Sequence, residues 1–321
     1  MKAIVISRFG GPEVLELREV PEPEPAPGEA RVRVRATAIN RADLLQRAGH
    51  YPPPPDAPQD IPGLEFAGEV DAVGRGVELA IGTRVFGLAS GGTYAEKVVV
   101  HARTLAPMPA GMSFADAAAV PEAFITAYDA MVVQGRLAAG ETVLVHAVGS
   151  GVGTAAVQIA RAIGARSVGT SRTADKLEKA KPLGMHVGIV VLADGKFAAA
   201  LPSPPDVILE LVGGAYLVED VRCAASRGRI ILVGMMGGPR ADLDWPIVMH
   251  KRLEIRGTML RARPLEEKIV AGQLLARNLV PLFAAGALRA VVDRVLPLAE
   301  AAAAHASMQA NEGFGKIVLT T

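Results

Sequence analysis

Three glycines at alternate positions, Gly149, Gly151 and Gly153, have the spacing most suggestive of chemistry in this chain. They follow an apolar run, Thr142–His146, that is typical of a buried parallel strand, and they precede a helical pattern. A strand, a glycine turn and a helix aim free backbone N–H groups and the helix dipole at a phosphate. The letters GVGTAA fit the G-x-G-x-x-A form and predict a dinucleotide site, although a plain tight turn uses the same glycines.

The residues about 20 positions beyond the glycines indicate which dinucleotide is bound. An NAD site carries an Asp or Glu there, which binds the ribose 2′-hydroxyl. This chain has no acid at that strand end and instead has Ser171, Arg172, Thr173 and Lys176. Hydroxyls and cations suit a 2′-phosphate and predict NADPH, while solvated surface charges are the alternative reading of Arg172 and Lys176.

The elements around this motif alternate between strands and helices. This alternation predicts an α/β fold with a doubly wound sheet whose first strand carries the glycine loop. Further strands are predicted at Ala165–Thr170, Asp206–Leu211, Arg229–Val233 and Leu253–Gly257, with a helix at Thr173–Lys181.

The two ends of the chain have a different pattern, with alternating polarity and proline-rich loops. Strands are predicted at Ala30–Ile39, Phe66–Val73, Tyr94–Val100, Ala290–Leu296 and Lys316–Leu319, with helices from Pro264 and over Leu298–Met308. We therefore expect residues 1–120 and 261–321 to form one mostly β domain, and residues 121–260 to form the dinucleotide-binding domain.

Composition excludes several classes of function. The 321 residues carry a formal charge of +1 without a dense basic patch, so nucleic-acid binding is not favoured. Cys223 is the only cysteine, which excludes an internal disulfide and a thiolate-rich metal site. No targeting segment or membrane span is apparent, so a cytoplasmic protein is expected.

Motifs along the whole chain resemble those of the zeta-crystallin-like quinone oxidoreductases, a zinc-independent family of medium-chain dehydrogenases/reductases. They include AINRADL from Ala38, GLEFAG from Gly63, the VHAVGSGVGTAA loop, and GKIVL from Gly315. The segment QRAGHYPPPP from Gln46 is similar to the p53-inducible subgroup of that family. The resemblance implies a GroES-like catalytic domain and a Rossmann NADP-binding domain.

Zinc-dependent alcohol dehydrogenases share this architecture, and their Gly-His-Glu ligand motif falls at Gly63-Leu64-Glu65. Leu64 replaces the histidine, and the cysteine ligands have no counterpart. A Lewis-acid site needs several fixed ligands, so no metal is expected.

The resemblance also implies site residues. Tyr51, Asn40 and Ser150 are the catalytic candidates, and Tyr51 is expected to stack on a planar acceptor and to hydrogen-bond its oxygen. Packing of Tyr51 against prolines and helix capping by Ser150 are the alternatives. The cofactor-binding candidates are Asn40, Thr126, Gly149, Ser150, Gly151, Val152, Gly153, Ser171, Arg172, Lys176, Gly234, Met235, Met236, Leu260 and Asn311. The two methionines are equally typical of core filling.

An NADPH-dependent quinone reductase is the expected function, with a small quinone or conjugated carbonyl as its partner. A 2-alkenal or enone reductase is the alternative enzyme, and a non-enzymatic NADPH-binding or RNA-binding protein is the alternative outside catalysis. The short last strand, Leu253–Gly257, leaves a sheet edge that pairs across a two-fold axis in the family, so a homodimer is expected.

Overall fold

A computed structural model describes all residues, 1–321, and the chain divides into two compact units. The first unit combines Met1–Ile125 with Leu260–Thr321, and the second consists of Thr126–Met259. The C-terminal segment therefore returns to complete the unit that the N-terminal segment begins.

Fifteen strands make up the sheets of the two units. They are β1 (Lys2–Ile6), β2 (Leu15–Glu19), β3 (Glu29–Ala38), β4 (Glu65–Val73), β5 (Arg84–Leu88), β6 (Lys97–His101), β7 (Ala106–Pro107), β8 (Thr142–Val145), β9 (Arg166–Ser171), β10 (Val187–Val190), β11 (Val207–Glu210), β12 (Arg229–Leu232), β13 (Glu254–Gly257), β14 (Val292–Pro297) and β15 (Lys316–Thr320).

Ten α-helices accompany the strands, and π-helical turns at Asp129–Gln134 and Leu275–Leu279 extend two of them. The helices are α1 (Arg41–Arg47), α2 (Phe114–Ala118), α3 (Pro121–Tyr128), α4 (Gly151–Ala162), α5 (Ala174–Ala180), α6 (Ala215–Cys223), α7 (Trp245–Lys251), α8 (Leu265–Leu274), α9 (Val280–Ala284) and α10 (Ala301–Ala310).

The second unit is built on a six-stranded parallel sheet in the order β10-β9-β8-β11-β12-β13. This is the doubly wound order, and its direction reverses at β8, beside the glycine turn. Leu144, Val168, Ile208 and Ile230 are buried in its core, which explains why these strands read as apolar runs. The predicted α/β fold with a doubly wound sheet is confirmed.

The first unit contains a mixed seven-stranded sheet in the order β14-β15-β3-β4-β5-β7, with β6 also paired to β3. The alternation predicted for the central strand β3 is present, because Val32 and Val34 are buried while Arg33 and Arg35 are exposed. Strand β15 lies between β14 and β3, so the C-terminus is an integral part of this sheet.

The strand predicted at Tyr94–Val100 is wrong at its start, since β6 begins only at Lys97. The backbone of Tyr94 bonds to Ile4 and Pro62 instead of to a neighbouring strand of the main sheet. Strand β10 was not predicted, because Val187 and Val190 at its two ends are exposed on the edge of the sheet.

No helix in either unit combines the length and the apolar character needed to cross a membrane.

Candidate functional site

The glycine turn after β8 brings the strand and the following helix into close contact in the second unit. The chain turns through Ala147, which has a φ of 47°, and α4 begins at Gly151. A Cβ on Gly153 would lie 2.6 Å from the carbonyl oxygen of Ala147, so only glycine allows this approach. Ser150 caps the helix, because its Oγ accepts the N–H of Gly153 at 3.0 Å. The first-turn N–H groups of Gly151 and Val152 have no acceptor within the helix and can bind a phosphate.

The end of β9 carries the residues predicted to select the cofactor. Ser171 is the last residue of this strand, and its Oγ accepts the N–H of Thr173 at 3.2 Å. Arg172 is exposed. The stem of Lys176 packs over Gly149, where a Cβ would lie only 2.8 Å from the lysine Cδ. Lys176 is therefore anchored beside the glycine turn rather than extended freely into solvent.

The loop after β12 holds Gly234, Met235 and Met236. The two methionine side chains are 59% and 53% exposed, so their alternative assignment to the core is wrong. Gly213 and Gly214 have positive φ angles, and the turn that they form packs on this loop. A Cβ on Gly214 would overlap a carbonyl oxygen of the loop, which explains the need for glycine.

A fully buried group of three titratable side chains, His146, Glu210 and Asp220, lies in the second unit. His146 contacts Asp220 at 2.8 Å through Nε2 and the Thr170 hydroxyl at 2.8 Å through Nδ1. Burial raises the pKa of Glu210 to about 8 and that of Asp220 to about 7, which favours protonated carboxyl groups here. Glu210 also accepts N–H groups from the turn after β11, so the group fixes that glycine turn.

In the first unit, Asn40 belongs to a network centred on Glu65. The Asn40 amide donates to Glu65 Oε1 at 2.9 Å and accepts from Lys316 Nζ at 2.5 Å. Lys316 is buried and also contacts Glu65 Oε1 at 2.7 Å and the carbonyl of Ile39 at 2.7 Å, so all three ammonium protons are used. Asn40 therefore holds a buried ion pair in place.

Asp43 links this network to a second buried group. Its carboxylate accepts the backbone N–H of Asn40 at 2.8 Å and the hydroxyl of Tyr94 at 3.0 Å, and Tyr94 contacts His305 at 3.1 Å. Burial raises the pKa of Asp43 to about 6 and lowers the pKa of His305 to about 3. These contacts give Asp43 a structural role.

Tyr51 lies against the guanidinium of Arg261, whose Cζ is 5.2 Å from the ring centroid. Arg261 is buried and donates to Gln46 Oε1 at 2.6 Å, to the Ser90 carbonyl at 2.7 Å and to the Tyr51 carbonyl at 3.3 Å. The tyrosine hydroxyl makes no hydrogen bond within the protein. Tyr51 is thus held by its ring and backbone, while its hydroxyl remains available to a ligand.

A cavity of about 220 Å³ lies beside Arg261, and every residue that lines it belongs to the first unit. Its wall is apolar at Leu64 and cationic at Arg261 and Lys268, and Glu122 also lines it. An apolar cavity of about 150 Å³ is known to hold benzene, so this one has room for a single six-membered ring.

The remaining predicted residues are divided between the two units. Thr126 is buried in α3, at the start of the second unit, and Leu260 lines the cavity of the first. Asn311 ends α10 in a left-handed conformation and accepts from Arg41 at 2.7 Å. The structure brings the glycine loop, Ser150 and Lys176 together in the second unit, and Tyr51 and Leu260 near Arg261 in the first.

Three residues with potential roles were not predicted: Glu122, Arg261 and Tyr216. Arg261 directly follows the predicted residue Leu260, and Glu122 lies shortly before the predicted residue Thr126. Only the folded chain brings Glu122 and Arg261 to the same cavity. Burial raises the pKa of Tyr216, whose ring packs edge-on against His146 with centroids 5.0 Å apart. The positive charge of Arg172 opposes this rise in the Tyr216 pKa, and Val191 is buried in the core.

The residues at the expected zinc position do not fit a catalytic zinc site. Leu64 lines the cavity where a histidine ligand would be needed, and Cys223 is buried in the other unit. The group dense enough to hold a metal is His146, Glu210 and Asp220, whose ligand atoms lie within 4.8 Å of one another. Its side chains are fully buried and leave no position open to a substrate.

Comparison with known families matches both parts of the chain. Residues 26–110 match the alcohol dehydrogenase GroES-like domain, and residues 151–276 match the zinc-binding dehydrogenase domain. The predicted GroES-like and Rossmann architecture is therefore confirmed.

Individual relatives match over the full length. A quinone oxidoreductase from Lama guanicoe is 34% identical over 327 residues, which cover 99% of this chain and 97% of the relative. A mycobacterial protein solved in complex with NADPH superposes with a TM-score of 0.88 at 28% identity, covering all of both chains. An NAD-dependent alcohol dehydrogenase superposes with a TM-score of 0.86 at 32% identity, again over both whole chains.

Proposed function

Since this chain belongs to the quinone oxidoreductase family of medium-chain dehydrogenases/reductases and is an oxidoreductase, we propose that it reduces quinones with NADPH. The cofactor would occupy the second unit, and the acceptor would bind to residues of the first. When bound, NADPH supplies the two electrons and the hydrogen of a hydride.

One observation carries the choice of cofactor: the end of β9 has cations and hydroxyls and lacks an acid. The ribose 2′-phosphate would lie near Ser171, Arg172 and Lys176, and the packing of Lys176 on Gly149 brings its stem to the glycine turn. Charge-assisted hydrogen bonds to phosphate are stronger than neutral ones. The NADPH complex of the mycobacterial relative supports the same choice.

The glycine turn would receive the pyrophosphate on the N–H groups of Gly151 and Val152. The exposed Met235 and Met236 follow Gly234 at the carboxyl end of β12, the edge at which doubly wound sheets bind their ligands. We assign these residues to the nicotinamide side. Ser150 would add a hydroxyl while it caps α4, and Thr126, Leu260 and Asn311 remain cofactor-contact candidates.

The acceptor ring would stack near Tyr51, with the free tyrosine hydroxyl donating to its oxygen. Arg261 holds the Tyr51 loop through the hydrogen bonds to the Ser90 and Tyr51 carbonyls and places a positive charge beside the cavity. A fixed cation stabilises the negative charge that develops on a reduced oxygen. Asn40 would act by holding Lys316 and Glu65 in place.

We further propose that catalysis is independent of zinc, because Leu64 supplies no ligand at the expected position. Purified protein should contain no stoichiometric zinc, and chelators should leave turnover intact. One zinc per chain, lost together with activity, would overturn this assignment.

We also propose a homodimer. Strand β13 is the last strand of its sheet, and its outer edge is unpaired within the chain. Pairing of two such edges across a two-fold axis gives a closed contact. Light scattering at micromolar concentration should give twice the 33.4 kDa chain mass, and a monomer would contradict the proposal.

The test of the function is a steady-state panel of ortho-quinones, para-quinones and enals with NADPH and NADH. The proposal requires the highest kcat/KM with a quinone and NADPH. A clear preference for enals would identify a 2-alkenal or enone reductase. NADPH binding without turnover on any acceptor would indicate a non-enzymatic binding protein.

A further inference from the structure

Glu122 lines the cavity, is partly buried and has no charged partner. Its carboxyl group makes no hydrogen bond or ion pair, although its own backbone N–H donates to Glu65 Oε2 at 2.8 Å. Of the two other acids in this wall, Asp56 is exposed and Glu29 accepts the backbone N–H of Ala26. Glu122 therefore presents an unpaired carboxyl group to the space beside Arg261.

The charges around Glu122 favour a protonated carboxyl. Burial and the neighbouring Glu65 raise the pKa of Glu122 to about 8, with a smaller contribution from Asp43. Lys316 and Arg261 oppose the shift but are engaged with other partners. The titratable and charged groups that act on Glu122 are Glu65 on β4, Lys316 on β15, Asp43 on α1, Arg261 in the loop before α8, and Tyr51 in the loop after α1.

Resting on the quinone reductase function proposed above, we propose that Glu122 is the proton donor to the oxygen of the reduced acceptor. Reduction by a hydride oxidises the nicotinamide, adds two electrons to the acceptor and leaves an oxyanion on it. The O–H bond of the Glu122 carboxyl breaks as an O–H bond forms on that oxyanion. Glu122 is left as a carboxylate and regains a proton from water.

The other polar groups nearby are poorer proton donors. Burial raises the pKa of the Tyr51 phenol above its usual value, which makes it a weak acid that serves as a hydrogen-bond donor. Arg261 stays protonated at any working pH, so it contributes charge only. Asp43 is not part of the cavity wall and is already bonded to Tyr94. A carboxylic acid that is neutral near pH 7 best fits general acid catalysis.

The kinetic test compares Glu122→Gln with a matched control, Asp56→Asn, which neutralises an exposed carboxylate of the same cavity wall. Single-turnover quinol formation should be measured from pH 6 to pH 9.5. The wild-type rate should be constant below pH 7 and fall about tenfold per pH unit above about pH 8, as Glu122 loses its proton. Glu122→Gln should lose about 10²-fold at pH 7 and lose this dependence, because general acids typically contribute 10²–10⁴-fold. Asp56→Asn should behave as the wild type.

A second measurement does not depend on turnover. Infrared difference spectra of the cofactor-free protein should show a protonated carboxyl C=O band that titrates near pH 8 and disappears in Glu122→Gln. If no acceptor is turned over by the wild type, the proposed function fails, whatever the infrared result. If quinones are reduced, then wild-type rates in Glu122→Gln, or an ionised Glu122 at pH 7, would overturn the proton-donor role alone.

Discussion

Each unit buries a glutamate completely, but the two units stabilise the buried carboxyl group in different ways. Glu65, at the start of β4, is matched by the ammonium group of Lys316 at 2.7 Å. Glu210, at the end of β11, has no Lys or Arg partner and lies close to Asp220, and burial raises the pKa of both carboxyl groups, which favours their protonated forms. An unpaired buried charge is expensive, and either a counter-charge or a proton removes the cost.

The difference between Glu65 and Glu210 indicates how each unit uses its buried acidic side chains. The network of Glu65 extends through the backbone N–H of Glu122 to a cavity, where proton transfer to a ligand is possible. The pair of Glu210 and Asp220 is sealed and holds the glycine turn after β11. The charges of the second unit to which we assign ligand binding, Arg172 and Lys176, lie outside this buried group.

The largest expected effect is on stability and comes from removing the counter-charge of the first unit. Lys316→Met should lower the free energy of unfolding by about 3–5 kcal/mol, because Glu65 is left as an unpaired buried charge. Urea denaturation at pH 7 measures the loss. Adding Glu65→Gln to the lysine variant should restore most of it. A loss below about 1 kcal/mol for Lys316→Met would mean that Glu65 does not need the cation.

Removal of the Arg172 and Lys176 charges should weaken the binding of NADPH selectively. A charge-assisted hydrogen bond to the 2′-phosphate is worth about 1.5–3 kcal/mol, so Arg172→Ala with Lys176→Ala should raise the NADPH KM at least about tenfold. The NADH KM should change little, because NADH has no 2′-phosphate. The paired KM values are the measurement, and equal effects on both cofactors would contradict the assignment.

The raised pKa of Asp220 in the second unit should make stability fall as pH rises. The pKa of Asp220 is raised from 3.8 to about 7 by burial, so the folded chain holds a proton that the unfolded chain has released between these values. Stability is then lost by about 1.4 kcal/mol per pH unit for one proton in that window. Asp220→Asn should flatten this slope between pH 5 and 7. Parallel slopes in the two proteins would show that Asp220 holds no proton in this pH range.

The smallest effect concerns the acceptor contacts of the first unit. Tyr51→Phe keeps the ring over Arg261 and removes one neutral hydrogen bond, worth about 0.5–1.5 kcal/mol, or about 2- to 10-fold in kcat/KM. Tyr51→Ala should be clearly worse, because the aromatic surface is removed as well. NADPH affinity without acceptor serves as the control and should not move. Unchanged quinone turnover in both variants would make Tyr51 a packing residue.

The doubly wound fold was predictable because its determinants are local. Thr142–His146 and Arg229–Val233 are continuous apolar runs, since parallel strands are buried on both faces. Edge strand β10 lacks that signal, as Val187 and Val190 are exposed. The sequence pattern predicted a strand residue at Tyr94, but its backbone hydrogen-bond partners lie in β1 and in the segment before β4.

The candidate site was predictable only where it follows a local motif. The glycine turn and the cations after β9 lie within one stretch of sequence. The contact of Arg261 with Gln46 joins residues 215 positions apart, and that of Lys316 with Asn40 joins residues 276 apart. Nothing in the local pattern around Glu122 shows that its carboxyl group lines a cavity beside Arg261, because that placement depends on the folded sheet.

The most direct test of the NADPH–quinone assignment is an anaerobic reaction of the protein with equimolar NADPH and a quinone, followed at the NADPH absorbance and by quinol analysis. We expect one quinol for each NADPH oxidised, faster than with NADH and at a rate proportional to protein. Stoichiometric NADPH binding, with no NADPH oxidation by any of the quinones in the panel, would contradict the proposed function.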